Sequence, residues 1–269
     1  MSLVTTIQPD GTPTWIDLRV PDPERAREFY GALFGWEYAP DSADTDTGTG
    51  LGTVCLLRGR PVAAITQNPA SPASPTATAA TGDPGWTMYF ATADCDGTAK
   101  RVVDAGGSLL TAPTDIGEHG RTAIAQDPVG ARFGLWEARA HLGCEVVNEP
   151  DSLVRNDLVT PDPEPARAFY TAVFDYTLDL NKTLPDLDFT FLRRPDGHEI
   201  GGIFGFPAAS RSVWATTFEV ADTDAVVGRA IAAGGTADTP EDTPYGRMAT
   251  ITDPFGVEFS VITRAADKV

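Results

Sequence analysis

The sequence predicts an α+β protein of four βαβββ units arranged as two tandem halves. Three observations predict it. The run from Asp17 to Tyr30, reading Asp-Leu-Arg-Val-Pro-Asp-Pro-Glu-Arg-Ala-Arg-Glu-Phe-Tyr, is echoed with a few substitutions 140 positions later between Asp157 and Tyr170. Such an echo marks a duplicated structural unit. Shorter echoes follow in the same order: Trp86 to Asp94 with Trp214 to Asp222, Gly106-Gly107 with Gly234-Gly235, and Asp127-Pro128 with Asp253-Pro254. Within each echo, β-rich runs alternate with amphipathic helices so that a strand and a helix are followed by three short strands.

The elements justify themselves in turn. Asp22 followed by Pro23 is an N-cap with proline at the first helical position. Behind it Ala26, Phe29, Tyr30, Leu33 and Phe34 recur at helical spacing and form one apolar stripe. A second helix starts at Asp94, carries Val102 and Val103 inward and stops at Gly106-Gly107, where glycine can adopt the left-handed conformation. Its counterpart runs from Asp222 to Gly234. Short strands are expected at residues 52–57, 62–66, 121–125 and 131–137, with equivalents at 188–193, 201–204, 247–251 and 257–262. The echo offset falls from 140 to 128 along the chain, so the first half carries 12 more residues between Tyr30 and Trp86. The Pro-, Ala-, Ser- and Thr-rich run from Asn68 to Gly85 is their expected place, an exposed connection too poor in apolar residues to pack. The resulting domains are 11–137 and 151–263, joined by a linker at 138–150.

Length and composition set bounds on function. At 269 residues the chain accommodates about two ordinary domains. A formal net charge of −18 repels phosphate backbones and attracts cations, which argues against nucleic acid as a partner. Cys55, Cys95 and Cys144 are odd in number and widely spaced, so neither a disulfide framework nor a zinc knuckle is expected. No apolar run approaches the ~18 residues of a membrane span, and the N-terminus lacks a basic region followed by an apolar stretch. The expected location is the cytoplasm, away from membranes.

Strand, Asp-Pro-Glu-x-Ala-x-x-Phe-Tyr helix, a Gly-Gly helix end and Asp-Pro-x-Gly before a final strand resemble the vicinal oxygen chelate superfamily of glyoxalases, ring-cleaving dioxygenases and bleomycin-resistance proteins. Two-domain actinobacterial members labelled glyoxalase or hydroxylase, some of them tied to antibiotic biosynthesis, are nearest in pattern. The resemblance implies two glyoxalase-like domains, each with a concave ligand-binding face. It does not imply one activity, because the superfamily hosts lyases, epimerases, dioxygenases, transferases and drug-binding proteins.

Its enzymes usually hold a divalent metal through His and Glu or Gln on the first strand of each unit and on the last strand of a domain. Counted from Asp22, Asp94, Asp162 and Asp222, the first-strand positions here are Trp15, Thr87, Arg155 and Ala215, and the last-strand positions are Gly134 and Ser260. None supplies the imidazole, carboxylate or thiolate that a divalent ion needs. No metal and no cofactor is therefore expected. His119, His141 and His198 all read as solvated loop residues.

Strand parity then selects what faces each cup. With Ile16, Leu18 and Val20 directed to the core, Trp15, Asp17 and Arg19 face the concave side, joined by Tyr89, Arg132 and Trp136. In the second half the same parity turns Arg155, Asp157, Thr217, Glu219, Glu258, Ser260 and Ile262 inward. One cup reads as aromatic and the other as charged. The expected ligand-binding residues are Trp15, Asp17, Arg19, Tyr89, Arg132, Trp136 and Arg155, and the expected ligand is a small aromatic or polyketide-like metabolite, best if cationic. The expected role is sequestration or support of an antibiotic pathway. The alternative is a lyase, isomerase or hydroxylase using Asp17, Asp157 or Glu258, with His119 or Tyr245 as an acid at a rim. A homodimer or a pathway enzyme are the protein partners open to it. The paired Gly120-Arg121 and Gly246-Arg247 steps read as structural.

Overall fold

The structure is a computed structural model and describes residues 3–39, 51–67, 84–180 and 187–265. Its helices start where aspartate can cap them. At α1 (Pro23–Phe34) the Asp22 carboxylate accepts the Arg25 N–H at 3.0 Å. Pro23 occupies a position where a missing N–H costs nothing. Gly35 closes the helix at φ +67°. The duplicate, α3 (Pro163–Phe174), ends instead on Asp175 at φ +56°, and aspartate is among the few residues that tolerate this region. Asp94 caps α2 (Cys95–Asp104) and Asp222 caps α4 (Thr223–Ala232) in the same manner. One expectation fails in α2: Val102 is buried but Val103 is exposed, since the inward face already falls on Cys95, Thr98, Ala99 and Val102.

The first half forms an eight-stranded sheet from β1 (Pro13–Val20), β2 (Glu37–Tyr38), β3 (Thr53–Leu57), β4 (Arg60–Gln67), β5 (Gly85–Ala91), β6 (Ser108–Ile116), β7 (Gly120–Gln126) and β8 (Arg132–Ala138). Their order is β2-β3-β4-β1-β5-β8-β7-β6. The second half repeats it with β9 (Ser152–Thr160), β10 (Thr177–Leu180), β11 (Phe189–Arg193), β12 (Glu199–Gly205), β13 (Val213–Glu219), β14 (Thr236–Ala237), β15 (Glu241–Thr243), β16 (Gly246–Thr252) and β17 (Glu258–Arg264). Each later unit begins with a strand antiparallel to the first strand of its predecessor, β5 on β1 and β13 on β9. Consecutive units thus pair within a half, a choice the sequence left open. The insertion expected at Asn68 to Gly85 lies almost entirely outside the described residues.

The two sheets share one aromatic core, built by helices that reach across. Tyr30 of α1 donates to Asp253 at 3.1 Å in the second half, and Tyr170 of α3 donates to Asp127 at 2.9 Å in the first. The other oxygen of each aspartate gathers the turn before the last strand: Asp127 accepts from Val129 and Ala131 N–H, Asp253 from Phe255 and Val257 N–H. Phe34 packs on Phe218, and Phe174 on Phe90, at 4.9 and 4.7 Å between centroids. Arginines complete the exchange by donating to helix-end carbonyls of the opposite half: Arg229 to Leu33, Arg101 to Val173 and Arg25 to Ala233. These are the unsatisfied acceptors at a helix C-terminus, where positive charge is favoured. The helices face each other in the middle, and the concave face of each sheet points away.

Candidate functional site

Parity places the expected aromatic residues on the concave face of the first sheet, but the rings there are packed against one another. Trp15 and Trp136 are each 2% exposed and Tyr89 is 6% exposed. His141, expected to be solvated, is buried between the two indoles, edge-on to Trp15 at 4.4 Å and to Trp136 at 5.5 Å. The Trp136 indole N–H donates to the His141 carbonyl at 3.0 Å, and the segment continues inward as Cys144 N–H donates to the Thr14 carbonyl. The chain leaving β8 is therefore a plug for this cup. Burial lowers the His141 pKa to about 4, with His119 adding a smaller push. Tyr89 donates to Asp17 at 2.9 Å and lies over Gly134, where a Cβ would come within 1.9 Å of its ring. Arg19 and Arg132 stand half-buried beside them.

The second cup is open. It holds a cavity of about 1110 Å³, walled by the sheet of the second half, by Val4, Gln8, Thr12 and Thr14 from the start of the chain, and by Val147 and Asn148. At its floor the Arg155 guanidinium donates to both Asp157 oxygens at 2.9 and 2.7 Å and to Glu199 at 2.8 Å. Arg193 takes the other Glu199 oxygen at 3.2 Å. The Arg155 carbon Cζ lies 5.6 Å from the ring centres of both Phe189 and Phe191. Gly202 makes this possible, since a Cβ there would come within 2.4 Å of the Phe189 ring. Phe204, Tyr245, Met248 and Ile262 extend the apolar wall. Burial holds the Asp157 carboxyl above its ordinary range, against the pull of Arg155.

Of the residues singled out from sequence, Arg155, Asp157, Thr217, Ile262 and Tyr245 line this cavity. Trp15, Asp17, Arg19, Tyr89, Arg132 and Trp136 belong to the other cup. Glu258 and His119 are exposed and lie off the cavity wall. His198, read as a loop residue, is exposed at the cavity edge. Phe189, Phe191 and Glu199 were not anticipated. The alternation Phe-Thr-Phe from 189 to 191 is a strand signal that extending the parity count to β11 would have turned inward. The Gly-Arg steps are ties between elements: Arg121 grips Asp96 at 2.8 and 3.0 Å, and Arg247 reaches Asp224 at 2.8 Å.

The first relationship to known proteins is to a family model. The one described as the glyoxalase/bleomycin resistance protein/dioxygenase superfamily matches residues 12–135 and again 146–261. The chain belongs to this superfamily. Relatives of the chain include a Mycobacterium tuberculosis protein provisionally named glyoxylase CFP32, 38% identical over 95% of both chains. The anthracycline biosynthesis protein DauV of a Streptomyces species is also 38% identical, over 94% of this chain and 93% of its own. Among solved structures, a Mn(II)-bound glyoxalase from Novosphingobium aromaticivorans aligns with a TM-score of 0.62 at 14% identity, covering 97% of this chain and 85% of its own. A triple mutant of the 4-hydroxymandelate synthase of Streptomyces coelicolor gives 0.60 at 16% identity, over 97% and 95%. These structures share the glyoxalase fold with the chain.

A metal of the kind such enzymes hold does not fit the residues present. At the positions where the superfamily places ligands, the first cup has Trp15, Thr87 and Gly134, with the Tyr89 ring across the last of them. The second has Arg155, Ala215 and Ser260, and the guanidinium of Arg155 is a cation already held by two carboxylates. Among the described residues, no three His, Cys, Asp or Glu side chains gather where they could hold a metal ion.

Proposed function

We propose that this chain binds a large, flat metabolite of the polycyclic aromatic kind in the cup of its second half, without a metal, as a sequestering or accessory protein of an antibiotic-type pathway. The observation that carries the proposal is the 1110 Å³ cavity with an arginine fixed against two phenylalanine rings at its floor. Pockets for small molecules commonly span about 300–1000 Å³, so this one suits several fused rings rather than one. Each aromatic contact beyond simple burial is worth about 0.5–1.5 kcal/mol. Arg155, immobilised by Asp157 and Glu199, offers planar N–H groups to carbonyl or phenol oxygens on the ring edge. The 38% identity to a protein named for anthracycline biosynthesis supports the same ligand class. The net charge of −18 favours a ligand that also bears an amine.

Calorimetric titration with a hydroxyanthraquinone after dialysis against EDTA tests this. The wild-type chain is expected to bind. Phe191→Ala and Arg155→Met should each weaken binding about tenfold or more, the loss of roughly 1.4 kcal/mol. Binding that vanishes on EDTA dialysis and returns with a divalent ion would refute the metal-independent reading.

A second reading rests on Asp157, whose half-buried carboxyl, held by Arg155 inside the cavity, has a raised pKa. Such a carboxylate suits a general base, which would make the protein a lyase, isomerase or hydroxylase-like enzyme. Turnover of the bound ligand that survives EDTA and is lost in Asp157→Asn would favour it.

A further inference from the structure

The first cup contains a polar cluster that its aromatic plug does not satisfy. Asp17 and Arg19 on β1, Tyr89 on β5 and Arg132 on β8 share the concave face of adjacent strands, with Tyr89 opposite Gly134 and Arg132 two residues before that glycine. Asp17 is only 6% exposed. One of its oxygens accepts from Tyr89, while the other, Oδ1, is buried with no hydrogen-bond partner. The Nε–H of Arg132 is likewise buried without an acceptor. Leaving such groups unmatched is costly in a folded protein, so their coincidence in one cluster calls for an explanation.

The arginines sharpen the point. Elsewhere the guanidinium groups find carboxylates or carbonyls, as at Arg121, Arg139, Arg155, Arg193 and Arg247. Among the described residues, Arg19 and Arg132 alone on this face have neither an ion pair nor a hydrogen bond. They also stand close enough to repel: burial, then the charge of Arg19, lowers the pKa of Arg132. Two guanidinium groups against one carboxylate leave a local charge of +1 in a chain whose net charge is −18. An anion is the group that neutralises it. The guanidinium fork is matched to carboxylate geometry, and the orphaned Asp17 oxygen asks for a hydroxyl that can donate.

From this juxtaposition we propose that the first cup holds a second, independent site for a small α-hydroxycarboxylate, whose carboxylate sits on Arg19 and Arg132 and whose hydroxyl donates to Asp17 Oδ1. The Trp15, His141 and Trp136 plug occupies the same face, so the proposed ligand is a small one. The site does not depend on what the second cup binds.

Glycolate and acetate are the probes, because they differ by the hydroxyl that Asp17 would receive. In the full-length ¹⁵N-labelled chain, the Arg132 Nε–Hε resonance is expected to move and saturate with glycolate, and acetate should bind about tenfold or more weaker, equivalent to roughly 1.4 kcal/mol. Arg132→Lys should weaken glycolate by a similar factor with thermal melting and hydroxyanthraquinone binding unchanged. If that variant melts early, the half-exposed Arg19→Gln supplies the same test. A shift that never saturates, equal affinity for the two acids, or full affinity in Arg19→Gln would each overturn the proposal.

Discussion

His141 illustrates how one residue decides which cup is available. Its imidazole is wedged between two indoles and its Nε2 has no hydrogen-bond partner, so nothing in its surroundings favours the charged form. The folded-state pKa of about 4 lies below the ordinary 6.5. As pH falls from 6.5 toward 4, the unfolded chain takes up a proton that the folded chain refuses, and stability is lost across that window. His141→Phe should keep the packing and remove this loss. Urea denaturation at pH 7 and pH 4.5 is expected to show the wild type losing about 2–3 kcal/mol more than the variant between the two conditions. Equal losses would place His141 in a solvated position after all. This residue could not be assigned from sequence, because a lone histidine in a connection gives no periodicity and its partners, Trp15 and Trp136, lie on separate strands.

At the scale of elements, the echoed motifs turn out to be two ends of the same contact. The tyrosine that closes Asp-Pro-Glu-x-Ala-x-x-Phe-Tyr on a helix of one half donates to the aspartate of Asp-Pro-x-Gly in the other. Tyr170→Phe and Tyr30→Phe each leave a buried carboxylate short of one donor, which should cost about 1–3 kcal/mol in chemical denaturation. Asp127, whose pKa burial raises to about 6, sharpens the sign for Tyr170: the tyrosine lowers that pKa, so its loss should hurt most above pH 6, where the carboxylate is charged in both states. A cost that is the same at pH 4 and pH 7 would contradict this assignment. The units themselves were legible, since caps, helical stripes and strand runs are local signals that duplication doubles. That the helices satisfy the opposite half was not legible. Tyr30 and Asp253 are separated by most of the chain, and only the fold brings them together.

At the scale of the molecule, the halves divide the work because the same parity carries different side chains. Trp15 and Arg155 occupy equivalent positions, as do Ala64 and Gly202 beside Asp17 and Asp157. Bulky rings and a returning segment close the first cup, whereas Gly202 and the pair Phe189 and Phe191 shape an open floor in the second. Parity turned Arg155, Asp157, Thr217 and Ile262 toward what is the cavity wall, but also Glu258, which is exposed and lies off it; nor could it say which cup was filled, since filling depends on residues 141–148 and on the start of the chain. The open cavity also borrows its wall from residues 4–14, tied down where Arg194 reaches Thr12 and Val4 N–H meets the Glu145 carbonyl. A fragment beginning at residue 146 would lack that wall and all the cross-half caps. It is expected to melt far below the full chain and to lose hydroxyanthraquinone binding, by thermal scan and calorimetry; an intact, binding fragment would show the halves to be independent.

The central claim is that the large aromatic ligand enters the second cup while the plug of the first keeps it out, and the molecule carries its own reporters. Trp15 and Trp136 lie in the first cup, and no tryptophan lines the cavity of the second. In a hydroxyanthraquinone titration followed by NMR, the account predicts saturating shifts at Phe189, Phe191 and the Arg155 side chain, with the Trp15 and Trp136 indole N–H signals unmoved. Shifts of those two indoles with the Phe189 and Phe191 signals left in place would contradict it.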